Sequence, residues 1–548
     1  MRKTKIVSAV LLLAIFLTAC SNSPAGSAQE KKSGGQTSSG PKSGGGVAIA
    51  AVSPLALDPL QVQTDEEKAI AGLIYEGLVK IDEQGRIQPG LAKSWDISDD
   101  GRTYTFYLRD GVKWHDGKIF TSADVKATFD RIVELRKKQK NQGRAPLFPE
   151  FDNIESFSAT GEGTFVVSLY KPDAGFLYAM ARGILPASLI QVQRDAEKRA
   201  AGPGQNALQA VPVGTGKYRF VKKDSESILL KRNENYYGKK PYIEDITIKI
   251  FPDKNSMKEA LKHEKVDIIP VDPQDWGIFQ GISHINLIQY SSRYFEFMAL
   301  NLNKSIFKDA NVRRAILMGI DRNKILQDTT LGKGIVIDGP VLPFSWAYNS
   351  QIRHITFNQA SARQILKEAG WADTDGDGIL EKKISGKRQR FEFEMLVNTS
   401  NSARYQAAMD IQKNLQEIGV RVKIINIPWD ELEKRVLDKK YDAALMGWKL
   451  SPNPDLRFMF SSSEIKNGYN FVSYSNPQLD EILIKAQASA FEEERRTFLF
   501  RAQEIIANDV PYIFLYSPGN LLAVNKKIKG VRPDPVNLFN SIEEWWVE

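Results

Sequence analysis

The sequence predicts a mixed α/β protein of several lobes, an α+β arrangement built on more than one sheet. Three observations lead there. Strand and helix signals alternate from Gly46 onward, no repeat period runs through the chain, and 548 residues exceed what a single hydrophobic core supports. With 42% hydrophobic and 26% charged residues, the composition is that of a soluble globular protein.

Residues 1–19 read as a signal peptide. Arg2, Lys3 and Lys5 precede VLLLAIFL, an apolar run too short for a resident membrane helix. The run stops at LTAC, which resembles a bacterial lipobox cut after Ala19, leaving Cys20 as the lipidated first residue. The alternative is an ordinary secretory signal that happens to contain a cysteine. Cys20 is the only cysteine, so no thiol remains for a disulfide, a zinc cluster or a catalytic nucleophile. A diacylglyceryl group with an N-acyl chain supplies enough hydrocarbon for stable anchoring, where one chain would be marginal. Residues 20–46, the cysteine and a serine- and glycine-rich stretch, form a tether with a reach of roughly 30 Å.

The stretch AIAGLIYEGLV (69–79) has helical spacing, and 103–118 alternates like a hairpin that turns at Asp110-Gly111 and again at Asp116-Gly117. Thr121 caps a helix with Asp124 at the capping-box position and Val125, Phe129, Ile132 and Val133 as its apolar stripe. Further helices are expected over 309–327, 358–369, 401–418 and 491–508, with strands at 245–251 and 421–427. The formal charge of +8 is scattered, and its one dense run, RKKQK at 136–140, ends a predicted helix, where cations suit the dipole. Such a surface tolerates anionic envelope polymers; nucleic acid is not the expected partner.

Several stretches invite a chemical reading. In DTDGDGILE (373–381), Asp373, Asp375, Asp377 and Gly378 match the start of a calcium loop, but position 12 is Ile384 and a strand, RFEFEMLV, follows where a helix should. A surface connection from helix to strand accounts for the same residues. PVGTGKY (212–218) lacks the spacing of a phosphate loop and places Tyr218 where a magnesium-binding hydroxyl should stand. WHDGK pairs His115 with Asp116, which invites an acid–base reading, although such a pair more often caps a hairpin. With four histidines, mutually remote in sequence, and no Gly-x-Ser-x-Gly elbow, neither metal, cofactor nor catalytic residues are expected.

IYEGLVKID (74–82), GLAKSWDISDDGRTYTFYLRDGVKWHDGKIFTSADVKATFDRI (90–132), PVGTGKYRF (212–220), NVRRAILMGIDRNKI (311–325), RQILKEAGW (363–371) and YDAALMGW (441–448) occur together in this order. The chain thereby resembles the family 5 extracellular solute-binding proteins of ABC importers, most of all the oligopeptide-binding lipoproteins of the App type. The resemblance spans the mature chain. It implies a fold like that of type II periplasmic binding proteins, three-lobed with a hinged ligand cleft: a discontinuous lobe I (47–85, 210–300 and 518–548), lobe II (86–209) and lobe III (301–517). It implies a monomeric receptor, lipid-anchored outside a Gram-positive cell membrane, that passes oligopeptides to the transmembrane subunits of a permease.

Within LMGWKLSPNPDLRFMF (445–460), relatives that bind short peptides place an aspartate shortly after the tryptophan, against the ligand's α-amino group. Here Lys449, Leu450 and Ser451 follow Trp448, and Asp455 comes only after two prolines. That departure favours longer ligands held by strand addition, with the backbone of Gly447, Trp448, Lys449, Leu450 and Ser451 as one edge. Tyr294, in the crossing SSRYFEFMALNLN (291–303), is expected to face the cleft. Trp448 also reads as a core aromatic and Asp455 as a turn acid. The rival readings are the same fold holding haem, a nickel chelate or an oligosaccharide, and an enzyme of the cell envelope.

The anchoring expectation is checked directly. Cys20→Ser should release the protein into the medium or leave an uncleaved precursor, as seen by fractionation and blotting. A processed mutant that stays on the membrane would refute it.

Overall fold

The computed structural model describes residues 40–52, 55–141, 147–200 and 211–548; the expected signal peptide, Cys20 and most of the expected tether lie outside the described residues. Its backbone is organised by three sheets. The largest has seven strands in the order Ile285–Tyr290, Asn520–Asn525, Ile268–Pro270, Gly46–Val52, Asp245–Phe251, Ser227–Arg232, Tyr218–Lys223. Gly46–Val52 lies parallel to Asp245–Phe251 along its full length and to Ile268–Pro270 at Ile49; the other neighbours are antiparallel. Apolar β-branched residues at alternate positions, such as Ile246 and Ile248, put one face of this sheet into the core.

The helix Asp65–Ile74 lies against this sheet. Thr64 and Glu67 form a reciprocal capping box at its start, and Ile70, Leu73 and Ile74 are buried. Helical spacing suggested continuation to residue 79, but the helix stops at Ile74. Gly77 lies against the backbone of Met180 and Ala181, so close that a Cβ there would come within 2.5 Å of the Ala181 carbonyl carbon. Val79–Ile81 then pairs with Ile87–Pro89.

The second sheet is antiparallel, in the order Ala92–Ile97, Thr103–Leu108, Thr164–Leu169, Ile154–Ala159. Thr103–Leu108 therefore pairs with strands on both sides rather than folding back on 112–118 as a hairpin. Its buried face of Tyr104, Phe106 and Leu108 matches Phe165, Val167 and Leu169 of the neighbouring strand. The expected turns remain, with Gly111 and Gly117 at φ +69° and +88°. Helix Ser122–Asn141 covers the sheet. Thr121 donates its amide to Asp124 Oδ2 at 3.0 Å, and Phe129 packs among Phe151, Phe157 and Phe165.

The third sheet runs Gly334–Val336, Tyr512–Pro518, Tyr294–Leu300, Ala443–Lys449, Glu392–Asn398, Arg421–Ile427. The sequence-based lobe boundary at 300 thus falls at the end of a strand, Tyr294–Leu300, that belongs to this sheet. That strand is buried on both faces: Met298 and Leu300 enter one apolar cluster, Phe295 and Phe297 another. The helix expected over 309–327 is two helices, Ala310–Gly319 and Arg322–Thr330, because the Asp321 side chain takes the Lys324 amide and caps a new start. Gln359–Glu368, Ser402–Gln416 and Glu492–Asp509 appear where periodicity places them. No helix among the described residues is long and apolar enough to cross a membrane.

The turn at 212–216 locks the first two sheets together. His115 Nδ1 accepts the Gly214 amide at 3.2 Å, so Nε2 carries the proton and donates to the Gly216 carbonyl at 3.0 Å. Burial holds this imidazole below its usual pKa, although the Gly216 carbonyl pulls the other way. His115 is a neutral structural group, without contact to Asp116 as an acid–base pair. Gly214 and Gly216 lie directly on the end of helix Asp65–Ile74, where a Cβ on Gly214 would stand 1.8 Å from the Ile74 carbonyl oxygen. Gly214→Ala should therefore cost about 3 kcal/mol of stability, as an overpacked site that backbone cannot relieve. Urea denaturation checks it; a loss under about 1 kcal/mol would show that the turn yields.

Candidate functional site

Two crossings join the seven-stranded and six-stranded sheets, and they lie side by side. Ile285–Tyr290 passes through 291–293 into Tyr294–Leu300, and Tyr512–Pro518 passes through Gly519 into Asn520–Asn525. Ser517 Oγ donates to the Tyr294 carbonyl at 2.6 Å, and Asn520 Nδ2 to the Ser291 carbonyl at 3.2 Å.

Beside these crossings lies a cavity of about 590 Å³. Its floor is the seven-stranded sheet at Ile49, Val52, Ile248, Ile268 and Leu522; its walls are helix Asp65–Ile74, the loop 534–539 and the crossing itself. Val52 and Pro270 are the last residues of parallel strands, the end of such a sheet where ligand crevices form. Arg293 reaches across it. Its Nε donates to the Pro535 carbonyl at 2.8 Å, one terminal nitrogen to the Leu450 carbonyl at 2.7 Å, and the other pairs with Asp65. Lys449 Nζ meets the same Asp65 carboxylate at 2.9 Å. Burial raises the Asp65 pKa, but Arg293 and Lys449 outweigh it and leave the carboxyl below its usual value.

A second cavity, about 260 Å³, lies in the six-stranded region between residues 340–345 and 450–458. The sequence-predicted site residues divide between the two. Tyr294 and Lys449 line the larger cavity; Leu450, Ser451 and Asp455 line the smaller; Gly447 and Trp448 line neither. Tyr294 sits over Gly447, where its hydroxyl accepts from Arg404 at 2.5 Å, and Arg404 Nε pairs with Glu296 at 2.9 Å. Burial lifts both the Tyr294 phenol and the Glu296 carboxyl, the latter in spite of Arg404. Trp448 stacks on Phe471 at 5.2 Å and meets Phe458 and Tyr469 edge-on, so its ring is built into an aromatic cluster. Asp455 takes the Arg457 amide at 2.9 Å and pairs with its guanidinium at 3.0 Å, the behaviour of a turn acid.

The edge of Ala443–Lys449 is partly unpaired. On one side the strand matches Tyr294–Leu300 throughout, and the Leu450 amide continues the ladder to the Arg293 carbonyl at 2.7 Å. On the other side pairing with Glu392–Asn398 stops at Ala444. Antiparallel ladders alternate, so Gly447 and Lys449 turn their amides and carbonyls to that second side, where none of the described residues pairs with them through the backbone.

The aspartates at 373–377 form a surface connection. They bring carboxylate oxygens within 4.8 Å of one another, yet Asp375 pairs with Arg388 and Asp377 with Arg390 from the hairpin Glu381–Ile384/Lys387–Arg390. The strand Glu392–Asn398 follows, and the loop lines neither cavity.

Sequence reading missed Asp65, Glu66, Arg293 and Asp534. Arg293 carries the one available signal, a lone charge directly ahead of a buried strand.

The profile of the bacterial extracellular solute-binding proteins, family 5 middle, matches residues 86–470. The chain is 30% identical to the oligopeptide-binding protein AppA of Bacillus subtilis (strain 168), over 100% of this chain and 99% of that one. The solved structure of AppA in complex with a nonapeptide is similar with a TM-score of 0.65 and 29% identity, covering 93% and 100% of the two chains. NikZ from Campylobacter jejuni in complex with Ni(L-His) gives 0.67 and 28%, covering 91% and 99%. Heme-binding protein A of Haemophilus influenzae is 27% identical over 89% of this chain and 90% of its own.

Arg293→Ala would orphan two carbonyls and leave Asp65 to Lys449 alone, so about 2–4 kcal/mol of stability should be lost. Lys449→Ala removes a cation whose side chain is 58% exposed, and should cost under about 1 kcal/mol. Urea denaturation of both variants gives the comparison; equal losses would contradict the central place assigned to Arg293.

Proposed function

The chain belongs to the bacterial extracellular solute-binding proteins of family 5, and on that footing we propose that it captures oligopeptides and delivers them to the permease of an ABC importer. As a member of that family it binds solute outside the cytoplasm and does not transform it. The observation that carries the peptide reading is the unpaired edge of Ala443–Lys449, whose last residue borders the larger cavity. A peptide laid there finds the carbonyls and amides of Gly447 and Lys449, features that suit any sequence. Bridging water can fill the space around its side chains. Leu450, Ser451 and the second cavity extend the same line, whereas Asp455 and Trp448 are engaged within the protein.

The lobes are proposed to follow the three sheets, with hinges at the paired crossings 291–293 and 519. The Lys449–Asp65 pair, already formed at 2.9 Å, is proposed to hold the closed arrangement. Cys20 is proposed as the lipid anchor, on the exterior of a Gram-positive membrane. Relatives that bind a nickel chelate or haem set the rival ligands. Neither cavity is lined by a histidine, which counts against a metal chelate held by imidazole.

Mass spectrometry of ligand carried through purification tests the class: peptide is expected, and haem or a metal chelate in its place would overturn the reading. Calorimetry tests the mode. N-acetylation should weaken a bound peptide by less than about tenfold, whereas N-methylation of a pairing amide should cost roughly 1–3 kcal/mol for each donor lost. A hundredfold loss on acetylation would instead place the affinity in a buried ammonium contact.

A further inference from the structure

Three acids and three bases line the larger cavity, but the bases are not shared evenly among the acids. Six charged residues line it: Asp65, Glu66, Lys254, Arg293, Lys449 and Asp534. Arg293 and Lys449 are both turned to Asp65. Lys254 is held away by Asp272, whose two carboxylate oxygens lie 2.9 and 2.8 Å from its Nζ. Glu66 and Asp534 have no ion-pair partner among the described residues.

Asp534 is half-buried, and its Oδ1 accepts the amides of Val536 and Asn537 at 2.8 and 2.9 Å. Those bonds fix the carboxylate without neutralising it. Burial lifts its pKa even so, against the pull of the Asn537 and Val536 amides. Glu66 is exposed at the start of helix Asp65–Ile74. A helix N-terminus ordinarily favours an anion, but here Asp65, Glu66 and Glu67 already fill the first turn. Ile49, Val52, Ile70, Ile268 and Leu522 make an aliphatic stretch of the lining, beside the aromatic Tyr290, Tyr294 and Phe539 and the polar Ser292, Asn520 and Asn537. Aliphatic walls ending in carboxylates complement a group with a long apolar stem and a cationic head.

We propose that this cavity receives a lysine or arginine side chain of the bound peptide, its stem along the aliphatic walls and its cation facing Glu66 and Asp534. The inference rests on the peptide-binding reading above and adds a side-chain preference to it. Lysine and arginine are preferred over the ligand's own amino terminus as the source of the cation because only they supply the aliphatic stem the walls would cover.

The test uses hexapeptides of alanine and valine, acetylated and amidated so that a single side chain carries the only charge. One lysine is walked through the six positions, and a parallel series replaces it with norleucine, which keeps the stem and drops the ammonium. Calorimetry on the full mature chain should show, at one or two positions, lysine binding about tenfold tighter than norleucine. Asp534→Asn keeps an acceptor for both amides, and Glu66→Gln changes an exposed residue. Each should shrink the lysine advantage while leaving norleucine peptides unaffected.

Equal binding of the two series overturns the proposal, as does a lysine preference that survives both substitutions. A norleucine peptide that gains as much from a free amino terminus as from lysine would assign the cation to the terminus, which also overturns it. If peptides bind without any charge preference, the peptide reading stands and only this inference falls. If no peptide of either series binds, both fall.

Discussion

Arg293 ties together three stretches of chain that are remote in sequence: Asp65 at the start of a helix, Leu450 just past the end of a strand, and Pro535 in the loop beyond the last strand of the seven-stranded sheet. All three of its donor directions are used, and its side chain is 11% exposed. Charge-assisted bonds of this kind are worth roughly 1.5–3 kcal/mol each, so the planar fork of arginine matters here in a way a lysine could not match. The two crossings between the large sheets run beside it and are bonded to each other through Ser517 and Asn520. Arg293 thereby fixes the wall of the larger cavity where Asp65, Lys449 and Pro535 come together.

A second seam holds the molecule together away from the crossings. The Trp346 amide donates to the Gln84 carbonyl at 3.0 Å, and its indole nitrogen to the Tyr178 hydroxyl at 3.1 Å. Tyr178 in turn donates to the Gly85 carbonyl at 2.9 Å, and Arg86 pairs with Glu492 at 3.1 Å. The Ala174 amide donates to the Gln487 carbonyl at 2.8 Å. These contacts join the region of the four-stranded sheet to the helices that pack on the six-stranded one. The space between the sheets is therefore bounded by contacts the protein makes with itself.

The polar groups near the site differ sharply in what they are free to do. Glu296 and Arg404 are buried together beneath Tyr294, and removing either partner would strand a charge in an apolar setting. Asp455 is occupied by Arg457, and Trp448 by its aromatic neighbours. Among the described residues, the backbone of Gly447 and Lys449 has no strand partner on its second side, and the carboxylates of Glu66 and Asp534 have no ion-pair partner. The open backbone edge and these carboxylates thus lie at different places, Gly447 outside the larger cavity and Glu66 and Asp534 in its lining.

Periodicity and capping residues are local properties, and they were sufficient for many of the elements. Phe129 and its stripe, the Thr121–Asp124 cap, and the helices at 359–368, 402–416 and 492–509 all lie where the sequence puts them. The family was legible too, since its motifs are contiguous blocks. The failures have a common physical cause. Helical spacing at 69–79 could not register that Gly77 must pass against Ala181, and alternation in 103–118 could not say that Thr103–Leu108 would find partners on both sides. The site was the least legible part, because Asp65, Arg293, Lys449 and Asp534 meet only when the crossings are formed. The sequence alone determined many of the helices and strands and the family to which the chain belongs. Only the tertiary structure decided which charges are neutralised and which strand edge stays open, because both depend on partners that are hundreds of residues apart and come within bonding distance only through the packing of the sheets.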